Sequence, residues 1–169
     1  MKNSHIVDKG SYGVLEVLGP TVEFLTSPDE KDATFLIMKG TIPAGGVIPL
    51  DTHADPESFY VLSGKLEVLS ERGGRLEWLD AKAGDFIEVP SNAKHGFRNR
   101  SHEPVVELIT TTPKIGRFFR EIGKPARPGV PSAKPTPEEL EKFARVAEHY
   151  GYWNASPAEN AAIGITLPV

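Results

Sequence analysis

The sequence predicts an all-β domain followed by a helical C-terminal arm. Up to about residue 112, short apolar runs alternate with tight turn signals such as PAGG, ERGG and KAGD. Many short strands joined by tight turns are typical of a β-sandwich or β-barrel. After Pro113 the apolar spacing changes from that of strands to that of helices. We therefore divide the chain into a β-rich domain over 1–112 and an arm over 113–169.

The composition limits the classes of protein to which the chain can belong. At 169 residues it is long enough for one well-buried core and short for two domains. A net charge of −4 gives no electrostatic case for nucleic-acid binding. No apolar run approaches the length of a membrane span, and the N-terminal residues lack the apolar core of a signal peptide. We expect a cytoplasmic protein with no nucleic-acid or membrane partner.

Nine segments have the composition of strands. Each is a short run rich in apolar and β-branched residues, and the segments are separated by Gly, Pro, Asn, Asp or Ser. The predicted strands cover residues 14–18, 22–26, 34–42, 58–64, 65–70, 75–80, 85–90, 96–100 and 105–112. Their number and close spacing support the β-sandwich or β-barrel prediction.

The arm contains one clear helix start. Thr136 is placed at the N-cap and Pro137 at the first helical position, while Glu139 completes a capping box. An apolar stripe at helical spacing follows, and Gly151 can end the helix. These signals predict a helix over about 137–150.

The rest of the arm is less regular. The stretch KIGRFFREIG has apolar residues at helical spacing, and the proline-rich connector KPARPGVPSAKP follows it. The arm has too little core of its own to form an independent domain. We therefore expect it to pack on the β-rich domain, where it can form a lid, or on a second subunit.

The stretch PLDTHADPESFYVLSG, residues 49–64, concentrates polar groups with possible chemical roles. Asp51 and His53 are two residues apart, so on a strand they share one face. Glu57 opens the next predicted strand. Asp55 precedes a proline in the intervening turn, and we expect it to be a solvated turn residue.

A second segment, GDFIEVPSNAKHGFRN over 84–99, contributes His95 just after a Pro-Ser-Asn turn. Two imidazoles and one or two carboxylates that converge from different strands suit a divalent transition metal. The chain has no cysteine, so any metal must be held by His, Asp and Glu. Iron, manganese, nickel, cobalt and zinc all accept such ligands, and the sequence does not choose among them.

The spacing of these residues resembles that of the cupin superfamily. Residues 45–64 read Gly, five residues, Asp51, one residue, His53, three residues, Glu57, six residues, Gly, which is similar to the first cupin motif. Residues 84–99 read Gly, five residues, Pro, one residue, Asn, two residues, His95, three residues, Asn, which is similar to the second. The resemblance implies a cupin (jelly-roll) β-barrel with the helical C-terminal arm attached to it.

The resemblance also implies a ligand set. His53, Glu57 and His95 fall in the positions of three metal ligands, and Asp51 falls where the family's first histidine is expected. Three interpretations of Asp51 stay open: it is a fourth ligand, it lies next to the ligands without binding the metal, or it belongs to a site that no longer binds metal. The aspartate could have arisen by natural divergence or by an introduced substitution. With Asp51 as a ligand, two carboxylates would neutralise the divalent cation and weaken it as a Lewis acid toward anionic substrates.

The barrel followed by a long arm resembles small bacterial quercetin-dioxygenase-like cupins. The resemblance implies a dioxygenase-type oxidoreductase for a small oxygenated aromatic or diketone-like compound, with Glu57 as a catalytic base and the protein as a homodimer. Two alternatives stay open. One is a metal-dependent isomerase, lyase or decarboxylase for a small acid or sugar. The other is a non-catalytic ligand-binding cupin with a weakened metal site.

Overall fold

The structure, a computed structural model, describes residues 4–127, 129–130 and 132–166. Its strands are β1 Val14–Glu16, β2 Thr21–Phe24, β3 Leu36–Ile42, β4 Val47–Thr52, β5 Glu57–Ser63, β6 Lys65–Arg72, β7 Arg75–Lys82, β8 Phe86–Val89, β9 His95–Arg98, β10 Val105–Thr111, β11 Lys124–Pro125 and β12 Trp153–Asn154. Its helices are α1 Pro113–Ile122, α2 Pro137–Tyr150 and α3 Pro157–Ala162.

The strands form two antiparallel sheets. One has the order β11-β1-β2-β3-β10-β5-β8 and the other has the order β12-β4-β9-β6-β7. The main hydrophobic core draws buried side chains from both sheets. Phe59 of β5 and Phe97 of β9 meet there, with ring centroids 4.8 Å apart. The prediction of an all-β fold with a helical C-terminal arm is confirmed.

Strand β4 was not among the nine predicted strands. The sequence around it, GGVIPLDT, carries two glycines and Pro49, which are turn signals. The pairing of β4 with β9 shifts register between Ile48 and Asp51. Proline has no N–H to donate to a sheet and is accepted at such irregularities. The bulge therefore lets the strand continue through Pro49 to Asp51.

The arm packs on its own β-rich domain. Helix α2 begins with the capping box of Thr136 and Glu139 and ends at Gly151, whose φ of 75° is left-handed. Strand β12 then pairs with β4. Asn160 of α3 is fully buried, and its Oδ1 accepts a hydrogen bond from the backbone N–H of Leu50. The strand and the helix of this last segment, β12 and α3, were not predicted.

Two further observations complete the architecture. The proline-rich connector includes residues 128 and 131, which lie outside the described residues. Across the described parts of the chain, none of the helices is both long and apolar enough to traverse a lipid bilayer.

Candidate metal centre

Three strands place the four predicted site residues at one end of the sheets. Asp51 lies on β4 and is the direct cross-strand partner of His95, the first residue of β9. His53 follows the end of β4, and Glu57 is the first residue of β5. The turn between β4 and β5 is therefore short enough to bring three of the four side chains to the same place.

The side-chain donor atoms of these residues converge. Asp51 Oδ1 lies 3.4 Å from His95 Nε2 and 3.8 Å from His53 Nε2. Glu57 Oε2 lies 3.3 Å from His95 Nε2 and 3.5 Å from His53 Nε2. Ligands of a first-row cation at about 2.1 Å stand roughly 3.0–3.4 Å from their neighbours in octahedral or tetrahedral geometry. Each of these four distances is close to that range. Donor atoms of Asp51, His53 and His95 all lie within 4.8 Å of one another, and Glu57 is near the two imidazoles.

Two atoms of the cluster are buried without a hydrogen-bond partner among the described residues. They are Asp51 Oδ1 and His53 Nδ1. The side chains of His53, Glu57 and His95 are almost fully buried, and that of Asp51 is 19% exposed. A buried carboxylate oxygen is costly unless it is paired or binds a metal. The orphaned oxygen aimed at two imidazoles, together with an N/O donor set, fits a divalent cation.

The mutual contacts shift the pKa values of the cluster. Burial opposes ionisation of Glu57, but hydrogen bonds and charges from His53 and His95 outweigh it and lower its pKa to about 2. Burial also lowers the pKa of His95, yet Glu57 and Asp51 raise it overall to about 9. The pKa of His53 is raised in the same way. For Asp51 burial dominates and raises the pKa to about 6.

The two imidazoles are held differently. His95 Nδ1 lies 3.1 Å from the carbonyl oxygen of Ala93, which accepts its N–H and leaves Nε2 directed at the cluster. His53 instead packs between rings: His95 lies edge-on with a centroid distance of 5.1 Å, and Tyr152 of the arm lies at 5.1 Å with a 47° tilt. Sequence reasoning did not place Tyr152 at the site, because nothing in the spacing of the arm marks it.

The expectation that Asp55 is a solvated turn residue was wrong. Its side chain is 9% exposed, and it accepts hydrogen bonds from the hydroxyls of Thr112 and Tyr152, the latter at 2.9 Å. Lys114 Nζ lies 3.7 Å from the same carboxylate. The turn is buried because two parts of the arm, the start of α1 and the segment around Tyr152, pack over it. A local turn signal carries no information about packing by residues so far along the chain.

Glu107 of β10 was also missed. It is 1% exposed, and its Oε1 has no hydrogen-bond partner in the described structure. Burial, with the charge of Glu57, raises its pKa to about 7. On sequence grounds it is a polar residue in a run of apolar and threonine residues, VVELITTT. That position on an inward face was the signal available.

A groove borders the cluster at His95. It has a volume of about 790 Å³ and runs between β7 and β8, which are the end strands of the two sheets. Val68, Ile87, Val89 and His95 are among its lining residues. The groove is large enough for a small organic molecule.

Comparisons with known proteins agree with this fold. Residues 38–111 match the family described as Cupin domain. The chain is 27% identical over 95 residues to quercetin 2,3-dioxygenase of Bacillus subtilis (strain 168), a match that covers 56% of this chain and 27% of that protein. The chain thus spans only about a quarter of the length of that curated relative.

Solved structures give the same fold. The oxalate decarboxylase of Bacillus subtilis, a protein with Mn(II) centres, is 27% identical with a TM-score of 0.50, over 58% of this chain and 27% of that one. A predicted oxalate decarboxylase from Thermotoga maritima has a TM-score of 0.54 at 20% identity, over 63% of this chain and 97% of that one. At that identity the second likeness shows the fold alone.

These matches agree with the motif spacing in the sequence and with the two antiparallel sheets. They also agree with the convergence of imidazoles and carboxylates in one cluster. Residues 38–111 match the cupin domain family, and the chain resembles small quercetin-dioxygenase-like cupins.

Proposed function

We propose that Asp51, His53, Glu57 and His95 hold one divalent transition metal and that the protein is a dioxygenase-type oxidoreductase. Its substrate would be a small oxygenated aromatic or diketone-like compound. The observation that carries the proposal is the convergence of the four donor atoms within 3.3–3.8 Å of the neighbours given above. When bound, a transition metal supplies Lewis-acid polarisation of substrate oxygens, and a redox-active one adds reactivity toward dioxygen.

The charges of the ligands favour a particular kind of substrate. Asp51 and Glu57 together carry two negative charges when both are ionised, so they balance a divalent cation. Such a centre attracts an anionic substrate less strongly than one with a single carboxylate. A neutral or singly charged compound that enters by the groove beside His95 fits this balance. The apolar side chains of Val68, Ile87 and Val89 would contact its carbon skeleton.

Glu57 is the residue that would move a proton. Its Oε2 accepts from both His53 and His95, and these contacts make it a weak base as placed. A base role therefore requires Glu57 to leave at least one imidazole when substrate binds. Its carboxylate could then accept a proton from a substrate hydroxyl.

One observation favours a second candidate. The likeness to an oxalate decarboxylase at 27% identity equals the likeness to the dioxygenase, so decarboxylation of a small acid, or an isomerase or lyase reaction, is the alternative. The same four residues would bind such a substrate. A non-catalytic ligand-binding cupin is the third possibility.

The test combines metal analysis with turnover. The protein is produced in separate media supplemented with iron, manganese, nickel, cobalt or zinc, and its bound metal is measured by elemental analysis. We expect about one equivalent per chain, and oxygen uptake with members of a panel of flavonols and diketones. Turnover of small acids or sugars under anaerobic conditions would replace the dioxygenase proposal by the second candidate. Metal binding with no turnover of any panel member would support the ligand-binding module, and absence of metal would overturn the metal centre.

We also propose that the protein is a homodimer, as the family resemblance implies. The support from the structure is an exposed apolar pair, Tyr60 and Phe86, which are cross-strand partners on β5 and β8. Light scattering at several protein concentrations tests this, and a constant mass of about 18.4 kDa would contradict it.

A further inference from the structure

We propose that Tyr152 of the arm is a positioning residue of the metal centre, whose ring fixes the orientation of the His53 imidazole. This inference rests on the proposed metal-binding function. Tyr152 lies outside both cupin motifs, about 100 residues after His53. The inference therefore adds a residue of the arm to those that shape the site.

The two imidazoles differ in how their rings are oriented. A metal-binding histidine is normally oriented by a hydrogen bond from its other ring nitrogen. His95 has such a bond, to the carbonyl oxygen of Ala93. His53 has none in the described structure: its Nδ1 is buried and unpartnered. The ring of His53 must be held in some other way if its Nε2 is to stay directed at the cluster.

Packing of rings provides that constraint. The centroid of the Tyr152 ring lies 5.1 Å from that of His53, at an interplanar angle of 47°. The ring of His95 lies at the same distance and at 90°. Aromatic rings at 4.5–7 Å attract each other in defined orientations. His53 therefore has an aromatic neighbour on each of two sides, and only Tyr152 comes from outside the ligand set.

Tyr152 is itself held from several directions. Its Oη donates to Asp55 Oδ2 at 2.9 Å in a buried hydrogen bond. Its backbone N–H donates to Ala147 O at 2.9 Å, and Phe118 packs against its ring at 5.0 Å. Lys114 Nζ lies 4.9 Å from the ring centroid, within reach of a cation–π contact. A ring fixed by this many contacts can hold a neighbour in place.

The anchor also explains why Asp55 is buried. Its second oxygen accepts the hydroxyl hydrogen bond of Thr112, the residue that precedes α1. Asp55 thus joins the turn between β4 and β5 to the residue before α1 and to the segment that follows α2. The turn contains His53 and ends at Glu57, so the arm fixes the segment that carries two of the proposed ligands.

The test measures the affinity for Co²⁺ and the d–d absorption of the bound ion, which reports its coordination geometry. Tyr152→Leu removes the ring, and we expect it to weaken binding by about 10- to 100-fold, the range of changes next to metal ligands, and to alter the spectrum. Tyr152→Phe keeps the ring, and we expect an affinity within about threefold of the parent. If Tyr152→Leu does not fold, Tyr152→Met fills the same space without a ring and carries the same expectation.

Tyr150→Leu is the matched control. Tyr150 lies in the same arm, packs on Phe118 and on the ring of Tyr152 at 5.7 Å, and donates to Glu121 Oε1 at 2.6 Å. Within the described structure its ring makes no contact with His53. We expect it to change the stability of the protein and to leave Co²⁺ affinity within about threefold of the parent. Unchanged affinity and spectrum in Tyr152→Leu would overturn the inference, as would an equal loss in Tyr150→Leu. A parent protein that binds no Co²⁺ would instead overturn the proposed function on which the inference rests.

Discussion

Asp51 and His95 face each other as cross-strand partners on β4 and β9, and Asp51 Oδ1 lies 3.4 Å from His95 Nε2. The shorter side chain of an aspartate thus reaches the cluster from a position where the family has a histidine. The pairing of β4 with β9 shifts register before Asp51 and places this residue opposite His95. The distance supports Asp51 as a ligand over a role as a distant neighbour.

Replacement of Asp51 tests this assignment. We expect Asp51→Ala to weaken binding of Mn²⁺ or Co²⁺ by more than about tenfold, because it removes a charged ligand. Asp51→His restores an imidazole and should keep about one metal per chain. Titration calorimetry and elemental analysis give both values. The exposed Asp80 of β7 supplies the control Asp80→Ala, and equal metal binding by Asp51→Ala and the parent would show that Asp51 is a bystander.

The anchor between Asp55 and Tyr152 predicts an energetic coupling. In a double-mutant cycle of Asp55→Asn and Tyr152→Phe, we expect a coupling energy of about 1 kcal/mol in the free energy of unfolding, since the two groups share a buried hydrogen bond. Urea unfolding measures it. The same cycle with Tyr150→Phe in place of Tyr152→Phe should be additive within about 0.5 kcal/mol. Additivity in both cycles would contradict the anchor.

A partly buried ion pair between the cross-strand partners Glu23 of β2 and Lys39 of β3 predicts a pH dependence. The hydrogen bond from Lys39 is the largest influence on Glu23 and, against the opposing effect of burial, lowers its pKa. A lowered folded-state pKa stabilises the protein above the unfolded value, near 4.5, and this stability is lost as the pH falls through the folded value. Lys39 is about a third exposed, so we expect the pair to contribute about 1 kcal/mol.

The corresponding experiment compares Glu23→Gln with the parent across pH. The difference in the free energy of unfolding should be largest at pH 6–7 and should shrink as the pH falls below 4.5 and through the lowered pKa of Glu23. Glu77→Gln, on the exposed side of β7, should change stability by less than about 0.5 kcal/mol. A constant difference from pH 7 to pH 3 would contradict the prediction.

Gly116 of α1 gives a prediction in which two effects have opposite signs. Helix propensity alone favours Gly116→Ala by about 1 kcal/mol. A Cβ at this position would lie 2.5 Å from Leu36 Cδ2 and 2.7 Å from Pro28 Cβ. The end of the Leu36 side chain can shift, but the ring of Pro28 is rigid, so α1 or the loop that carries Pro28 would have to move. Overpacking costs about 1–3 kcal/mol. We expect a lower Tm by calorimetry, and a higher Tm would show that the contact relaxes freely.

The parts of the fold that were predicted are those with local signals. Apolar runs between turn residues marked the strands from β5 to β7, and the capping box at Thr136 marked the start of α2. The motif spacing predicted that His53, Glu57 and His95 lie in one cluster. Strand β4 escaped because Pro49 reads as a turn, and its place in the sheet depends on a bulge opposite β9. The burial of Asp55 and the contact of Tyr152 with His53 depend on where the arm docks, which no local pattern encodes.

The pairing of β12 with β4 joins Asn154 and Trp153 to Asp51 and Thr52. Because β12 belongs to the arm and β4 carries Asp51, we expect docking of the arm to be coupled to ordering of β4. By thermodynamic reciprocity, a cation held by Asp51 and His53 stabilises the docked arm by the same free energy with which the docked arm strengthens cation binding. Resistance of the arm to proteolysis should rise on metal loading and fall with a chelator. Proteolysis of the arm therefore measures metal binding at the centre in an experiment that needs no substrate.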